Sequence, residues 1–181
     1  MSFLHIEPSD DFLEFVEPVK RYLDPRSSWI CGGALRDFPA APRDWDLFFN
    51  SKTSFKKVEK MLRSIGAKED IKSEYQVTYL TDNKKISLVH YSYYASIEEA
   101  LSDFDFTINQ IGFDGRMITQ SSSWATHMVH KELIVIRPPK APLTRLRRME
   151  KFISRGYTID QNNLLKMCHV EDTDFIPWDS L

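Results

Sequence analysis

The sequence predicts an α+β protein, a mixed sheet covered by helices on one side, and three observations carry that prediction. Short β-rich runs fill the middle of the chain with turn signals between them. Helical periodicity marks both flanks. The order is helix, strand, Gly-Gly turn, strand, helix, hairpin, strands, then helices, which suits a sheet with helices packed against it.

Ser9 is a good N-cap, and Phe12, Phe15, Val16, Val19, Tyr22 and Leu23 recur at helical spacing behind it. Pro18 interrupts the pattern, which predicts a kinked helix or two short ones ending before Pro25. Ser28 to Cys31 reads as a short strand, broken by Gly32-Gly33, with one helical turn over Ala34 to Asp37. Asp46 to Asn50 is a second strand. Phe55, Val58, Leu62 and Ile65 share one face of a helix that Gly66 terminates. Tyr75 to Leu80 and Lys85 to Tyr91 form a hairpin across Thr-Asp-Asn-Lys, and Ser96 to Leu101 a short helix. Phe106 to Phe113 and Arg116 to Thr119 flank Asp114-Gly115, a two-residue hairpin turn. The serines at 121 to 123 start a helix reaching Lys131, and Leu133 to Ile136 is a short β-branched run. Pro138, Pro139 and Pro142 make a stiff linker into a helix from Leu143 to Arg155, and Asp160 to Met167 is one more helical piece.

The 181 residues are 42% hydrophobic and 28% charged, which suits one globular domain, or one with a short helical appendage. Cys31 and Cys168 cannot form a disulfide framework, and no metal-finger spacing is present. No segment reads as a signal peptide or a membrane span, so a reducing, cytoplasmic setting is expected. The net charge of −2 gives no global attraction to nucleic acid. Two basic runs stand out: Lys52, Lys56, Lys57, Lys60 and Arg63, then Arg145, Arg147, Arg148, Lys151 and Arg155. Either can be a solvated face or a phosphate-binding one. The tail from Glu171 to Asp179 is acidic.

The chemistry lies in Cys-Gly-Gly-Ala-Leu-Arg-Asp (31–37) followed by Arg-Asp-Trp-Asp-Leu (43–47). Residues two apart on a strand point to the same face, so Asp44 and Asp46 project together. Two converging carboxylates repel each other unless a cation lies between them, and hard oxygen ligands suit Mg²⁺, or Mn²⁺ in its place, with substrate phosphates completing the shell. Gly32 and Gly33 let the backbone approach an anion closely, and the helical turn behind them aims N–H groups outward. A lone Asp-x-Asp is more often a turn or a strand end, and a lone Gly-Gly is usually a turn; the pairing at this spacing describes a site for a nucleoside triphosphate.

Those residues resemble the head motif of the tRNA nucleotidyltransferase and bacterial poly(A) polymerase family of the polymerase-β superfamily, which runs Gly-Gly-x-Val-Arg-Asp, a spacer, then Asp-x-Asp-Leu. Asp-Phe-Thr-Ile-Asn at 105–109, leading into Phe-Asp-Gly at 113–115, resembles a second family segment. Arg-Leu-Arg-Arg-Met-Glu-Lys-Phe-Ile-Ser-Arg-Gly-Tyr at 145–157 is similar to the family's first neck helix. The resemblance covers residues 28 to 157. It implies a polymerase-β-like nucleotidyltransferase head over residues 1–140 and a short helical neck-like segment with the acidic tail over 141–181. It also implies a two-metal transfer of a nucleoside monophosphate from a triphosphate to an RNA 3′ end, a tRNA or another hydroxyl. Asp44 and Asp46 would hold the metals and Gly32 and Gly33 the phosphates, with Arg36 and Arg43 nearby. Asp105 and Asn109 would line the ribose side, and Arg145 and Arg148 would face the nucleotide. The plainer reading of Arg36 is a structural salt bridge with Asp37.

Three departures bear on activity. Ser87 fills the position of the family's third carboxylate, where Glu74, Asp103 or Asp105 would have to substitute. Asp103-Phe104 replaces an arginine pair, which removes positive charge expected near the nucleotide. The template motif Glu-Asp-x-x-Arg of CCA-adding enzymes reads Ala-Pro-Leu-Thr-Arg at 141–145, and little chain follows the neck helix, so CCA addition is not expected. A degenerate head that binds nucleotide, RNA or a protein partner without catalysis is therefore the alternative function. His127 and His130 lack partners for a zinc site, Trp29, Trp45 and Trp124 read as core, Trp178 could pack back or bind a partner, and Cys31 lacks a base to make it a nucleophile.

Overall fold

A computed structural model describes residues 2–81, 84–138 and 142–168. The centre of the expected Thr81–Lys84 turn, Pro139, Ala141 and the acidic tail with Trp178 lie outside the described residues.

Eight strands form one mixed sheet: β1 (Phe3–Ile6), β2 (Ser28–Cys31), β3 (Trp45–Phe49), β4 (Lys68–Lys72), β5 (Gln76–Thr81), β6 (Lys84–Val89), β7 (Ile111–Phe113) and β8 (Ile118–Ser121). Their spatial order is β1-β8-β7-β2-β3-β6-β5-β4, and among these pairs only β3 and β6 run parallel. The helices are α1 (Asp10–Lys20), α2 (Gly33–Arg36), α3 (Lys52–Ser64), α4 (Ile97–Ser102), α5 (Trp124–His130), α6 (Pro142–Ile153) and α7 (Gln161–Cys168). None of them is long and apolar enough to cross a membrane.

Strand alternation sends Ile30, Leu47 and Phe49 to one face, where they bury Phe12, Val16 and Val19 of α1 and Phe55, Val58 and Leu62 of α3. Trp29, Cys31 and Phe48 point to the opposite face and bury Ile97, Ala100 and Leu101 of α4. Helices thus cover both faces, a correction to the one-sided packing expected, because α4 carries its own apolar stripe. A third cluster joins Phe106, Ile108, Leu133 and Val135 to Met149 and Phe152 of α6 and Met167 of α7.

The local chemistry explains most boundaries. The Ser9 hydroxyl accepts from the Phe12 N–H to cap α1, and Ser51 and Ser54 form a reciprocal capping box at α3. Pro18 sits in the last turn of α1, near enough to the end that the helix remains one piece. Gly66 and Gly115 take positive φ at the end of α3 and in the β7–β8 turn. Residues 106 to 110 are not the strand expected, because the Asp105 carboxylate accepts from the Phe106 N–H and from Asn109 and folds Thr107–Asn109 into a 3₁₀ turn. Leu133 to Ile136 makes only an isolated bridge to Phe106, since the Val135 N–H is taken at 2.8 Å by the Asn163 side chain of α7. The edge strands β1 and β4 escaped the sequence reading. β4 is fully exposed and reads Lys-Glu-Asp-Ile-Lys, a charged edge without apolar alternation.

Phe152 is 2% exposed and meets Phe106 and Tyr157 edge-on, at ring separations of 5.5 and 5.6 Å. Phe152→Ala should lower unfolding free energy by about 3–5 kcal/mol in urea titrations. Leu143→Ala on the same helix, at a position 67% exposed, should change it by less than about 0.5 kcal/mol.

Candidate functional site

β2 ends at Cys31, and the chain turns into α2 through Gly32 at φ 82°. A Cβ on Gly32 would lie 2.9 Å from the Phe104 ring, so both the backbone angle and the space demand glycine. Gly33 faces no comparable restriction, since its nearest neighbour, the Arg36 guanidinium, is 3.8 Å from an added Cβ. The Gly32 N–H donates to the Ile111 carbonyl at 2.8 Å, whereas those of Gly33 and Ala34 have no acceptor among the described residues.

On β3, Trp45 and Leu47 face the α1–α3 core, so Asp46 projects to the opposite face with Phe48. Asp44 is exposed at the mouth of that strand and Asp46 is half-buried. Neither carboxylate has a hydrogen-bond or ion-pair partner among the described residues. Burial, then the charge of Asp44, pushes the Asp46 carboxyl up to about 7 against the opposing pull of Arg148 and Lys151. Asp46 stands in parallel register with Ser87, whose hydroxyl is 3.0 Å from that of Thr78 on β5. Ser87 and Thr78 are both buried. The slot beside Asp46 therefore holds a neutral hydroxyl pair.

None of the three candidate substitute acids is available beside Asp46. Glu74 lies in the β4–β5 turn, four strand positions beyond Thr78. Asp103 accepts from Tyr94 at 2.7 Å and pairs with Arg137. Asp105 accepts from Asn109 at 2.8 Å and from Arg148 at 2.9 Å. Among the described residues, no three His, Cys, Asp or Glu side chains group as a metal-binding set.

Arg36 is the junction of the region. Its side chain is 3% exposed, and it grips Asp37 through Nε and Nη2, both at 2.7 Å, while Nη1 donates to the side-chain Oδ1 of Asn109 at 2.6 Å. Its guanidinium carbon lies 4.9 Å from the centre of the Phe152 ring. Asn109 leads to Asp105 and on to Arg148, while Asp37 accepts from Arg155 at 3.1 Å. Burial pushes the Asp37 carboxyl up, but Arg36 and Arg155 outweigh it and hold it below the usual range. Partial burial, then the charges of Arg36, Arg155 and Arg148, hold the Lys151 ammonium below its own usual range.

The structure thus brings Arg36, Asp105, Asn109 and Arg148 together, as one ion-pair and hydrogen-bond chain. Arg43 is exposed beside Asp44. Arg145 is 6% exposed and donates to the Met167 carbonyl at 3.3 Å, which fastens α6 to α7. The plainer reading of Arg36, a salt bridge with Asp37, is what the structure shows, and Lys151 and Arg155 of the second basic run, not assigned to the site from sequence, lie in the same network. At Asp103-Phe104 the Asp103 carboxylate is neutralised by Arg137 from another segment, while Phe104 packs on Phe48 at 5.5 Å and against Gly32. Cys31 is buried, and burial and Asp46 raise its thiol far above the usual value, so it stays protonated. His127 is held by Thr107 at 2.7 Å.

Comparison with solved structures places the fold. A CCA-adding enzyme bound to ATP superposes with a TM-score of 0.70 at 16% identity, covering 92% of this chain and 46% of that one. The Thermotoga maritima CCA-adding enzyme complexed with tRNA gives a TM-score of 0.67 at 14% identity, covering 92% and 45%. A tRNA nucleotidyltransferase with a primer tRNA and an incoming ATP analogue gives 0.60 at 17%, covering 78% and 45%. The chain spans about half the length of these proteins, and its fold is that of the nucleotidyltransferase head of CCA-adding enzymes. Comparison with curated protein sequences gave no match. The family model Gad2, described as Gabija anti-defense 2 family protein, matches residues 9–131, from the cap of α1 to the end of α5.

Folded Asp46 titrates near 7 and an unfolded aspartate near 4, so the folded protein holds the extra proton between those values. In chelator, stability should fall as pH rises through that window, by on the order of 2 kcal/mol. Denaturant titrations at pH 4.5 and 7.5 should show this loss for wild type and its near-disappearance in Asp46→Asn; an unchanged loss in the variant refutes the assignment.

Proposed function

The chain belongs to the Gabija anti-defense 2 family, and on that premise we propose that it is a Mg²⁺-dependent nucleotidyltransferase acting on a hydroxyl acceptor. The observation that carries the proposal is the pair Asp44 and Asp46, unpartnered among the described residues, at the mouth and second residue of β3, the strand that pairs with β2 before the Gly32-Gly33 turn. The donor set fits a hard divalent cation, because Asp46 is destabilised as an anion by burial and by Asp44, and a cation relieves both effects. Mg²⁺ or Mn²⁺ held by Asp44 and Asp46 would supply charge neutralisation at the phosphates.

The chain's own residues then have distinct tasks. The Gly33 and Ala34 N–H groups donate to phosphate oxygens, and Arg43 adds charge at the open side. Arg148, positioned by Asp105 and through it by Asn109 and Arg36, presents a half-exposed guanidinium toward Asp46. In the transfer, an acceptor hydroxyl oxygen bonds to the α-phosphorus, its proton is lost to solvent or a carboxylate, and pyrophosphate leaves with the electrons of the broken P–O bond. The acceptor is an RNA or tRNA end, or a hydroxyl on a component of the Gabija system that the family name indicates, and the reaction belongs in the cytoplasm. CCA addition is not part of this proposal, because Arg145 is buried against α7.

A second reading rests on Ser87. With a neutral hydroxyl in register with Asp46, the head could bind nucleotide, RNA or a protein partner without turnover. Incubation with Mg²⁺, labelled triphosphates, mixed RNA and Gabija components separates the two. Transfer by wild type, abolished in the Asp44→Ala, Asp46→Ala double variant, supports the enzyme; binding that ignores Mg²⁺ and survives the double substitution supports the binder. Ser87→Asp gives a further check: it should lower stability without metal and recover it with Mg²⁺ or Mn²⁺, read as a metal-dependent rise in melting temperature.

A further inference from the structure

A nucleotide site must hold a base as well as phosphates, and the residues named so far address only the phosphate end. Among the described residues, the retained arginine of the template motif is buried in the α6–α7 contact, where it cannot read a base edge. The opposite end of the site offers a different chemistry. Ser87 and Val89 face the Asp46 side of β6, and Tyr91 follows two residues later with its hydroxyl on the same side, against Tyr94 and Asp103.

Tyr91 is 47% exposed, yet its hydroxyl is tied down, 3.0 Å from the Tyr94 hydroxyl and 3.4 Å from Asp103. Tyr94 itself donates to Asp103 at 2.7 Å, and Arg137 closes the cluster on the far carboxylate oxygen. Burial raises the Tyr91 hydroxyl above its usual value, and Arg148 acts on it in the opposite sense, as it also does on Asp46. Arg148 itself donates to Asp105 at 2.9 Å, two residues along the chain from the Asp103 that meets the Tyr91 hydroxyl. Four residues of extended chain separate Tyr91 from Ser87, a span of at most about 14 Å. An exposed tyrosine whose hydroxyl is held in place is a stacking platform that loses little entropy when a π-face settles on it.

We propose that Tyr91 is a nucleobase-stacking residue, and that bases are bound here by their faces and not by their edges. The inference rests on the nucleotidyltransferase reading. It predicts tolerance among the four bases, because every base has a π-face. The stacked base belongs either to the bound triphosphate or to the end of a nucleic-acid acceptor.

Equilibrium binding in Mg²⁺ to ATP, GTP, CTP, UTP and tripolyphosphate tests the first source. Short oligonucleotides with and without a terminal base test the second. Wild type should bind the four triphosphates within about tenfold of one another. Tyr91→Ala and Tyr91→Leu should lose about 5- to 100-fold for base-bearing ligands, Tyr91→Phe should lose much less, and tripolyphosphate binding should be unchanged in all three. Tyr91→Leu keeps apolar bulk, so matching melting temperatures exclude a folding defect. A loss confined to the triphosphates assigns the base to the donor, and one confined to based oligonucleotides assigns it to the acceptor. Preference of wild type for one base by more than about 100-fold, equal loss of tripolyphosphate, or no loss for any base-bearing ligand would overturn the proposal. Failure of wild type to bind tripolyphosphate and nucleotides alike defeats the parent reading as well, whereas Mg²⁺-dependent tripolyphosphate binding without a Tyr91 effect defeats only this one.

Discussion

The buried guanidinium of Arg36 is the constraint around which the head and the helix behind it are organised. A charge removed from water is tolerated only when it is paired and its donors are satisfied. Here the two oxygens of Asp37, the Asn109 amide oxygen and the face of Phe152 meet that need from three separate parts of the chain. The glycine turn, the 3₁₀ turn and α6 are consequently fixed to one another. Asp105 and Arg148 extend the chain of contacts toward Asp46, and Arg155 closes it on the opposite side. Several residues that resemble nucleotide ligands act first as the frame of the site.

Opposite this frame the sheet carries a deliberate imbalance. Asp46 is half-buried beside another carboxylate and next to a neutral Ser87–Thr78 pair, so its charged form is disfavoured in the protein alone. Such a group lowers stability unless a ligand brings the missing positive charge. A third carboxylate in register would deepen the repulsion and strengthen metal binding together. Serine at that position moderates both, so a single side chain sets the balance.

The likeness to CCA-adding enzymes at 14–17% identity also has a physical basis. Alternating apolar strands need only volume and pattern on their two faces, so a core can be rewritten while its topology persists. Contacts that need particular atoms are fewer, and here they divide. The glycine turn and the aspartate pair are retained. At Asp103-Phe104, Arg137 comes from a different segment to neutralise the Asp103 carboxylate.

How much was legible in the sequence follows from the range of each interaction. Local signals fixed α1, α3, α4 and the Asp114-Gly115 turn, because caps, periodicity and turn residues act within a few positions. The alternation that sends Asp46 to the face opposite Trp45 and Leu47 is equally local. β1 and β4 were not legible, since an edge strand is defined by its neighbour and β4 carries almost no apolar residue. Nor was the strand-to-turn change at 106–110, which Asp105 imposes through its own hydrogen bonds. By itself the sequence determined the class of fold, the glycine turn and the carboxylate pair. Only the tertiary structure decided that Arg36 is buried in an ion-pair frame, that Arg145 faces α7, that Arg137 compensates Asp103 and that Tyr91 is held with its ring exposed. The first three depend on partners 22 to 73 residues away, a distance over which a side chain's type says nothing about what it will meet, and the last on a hydroxyl cluster spanning 12 residues.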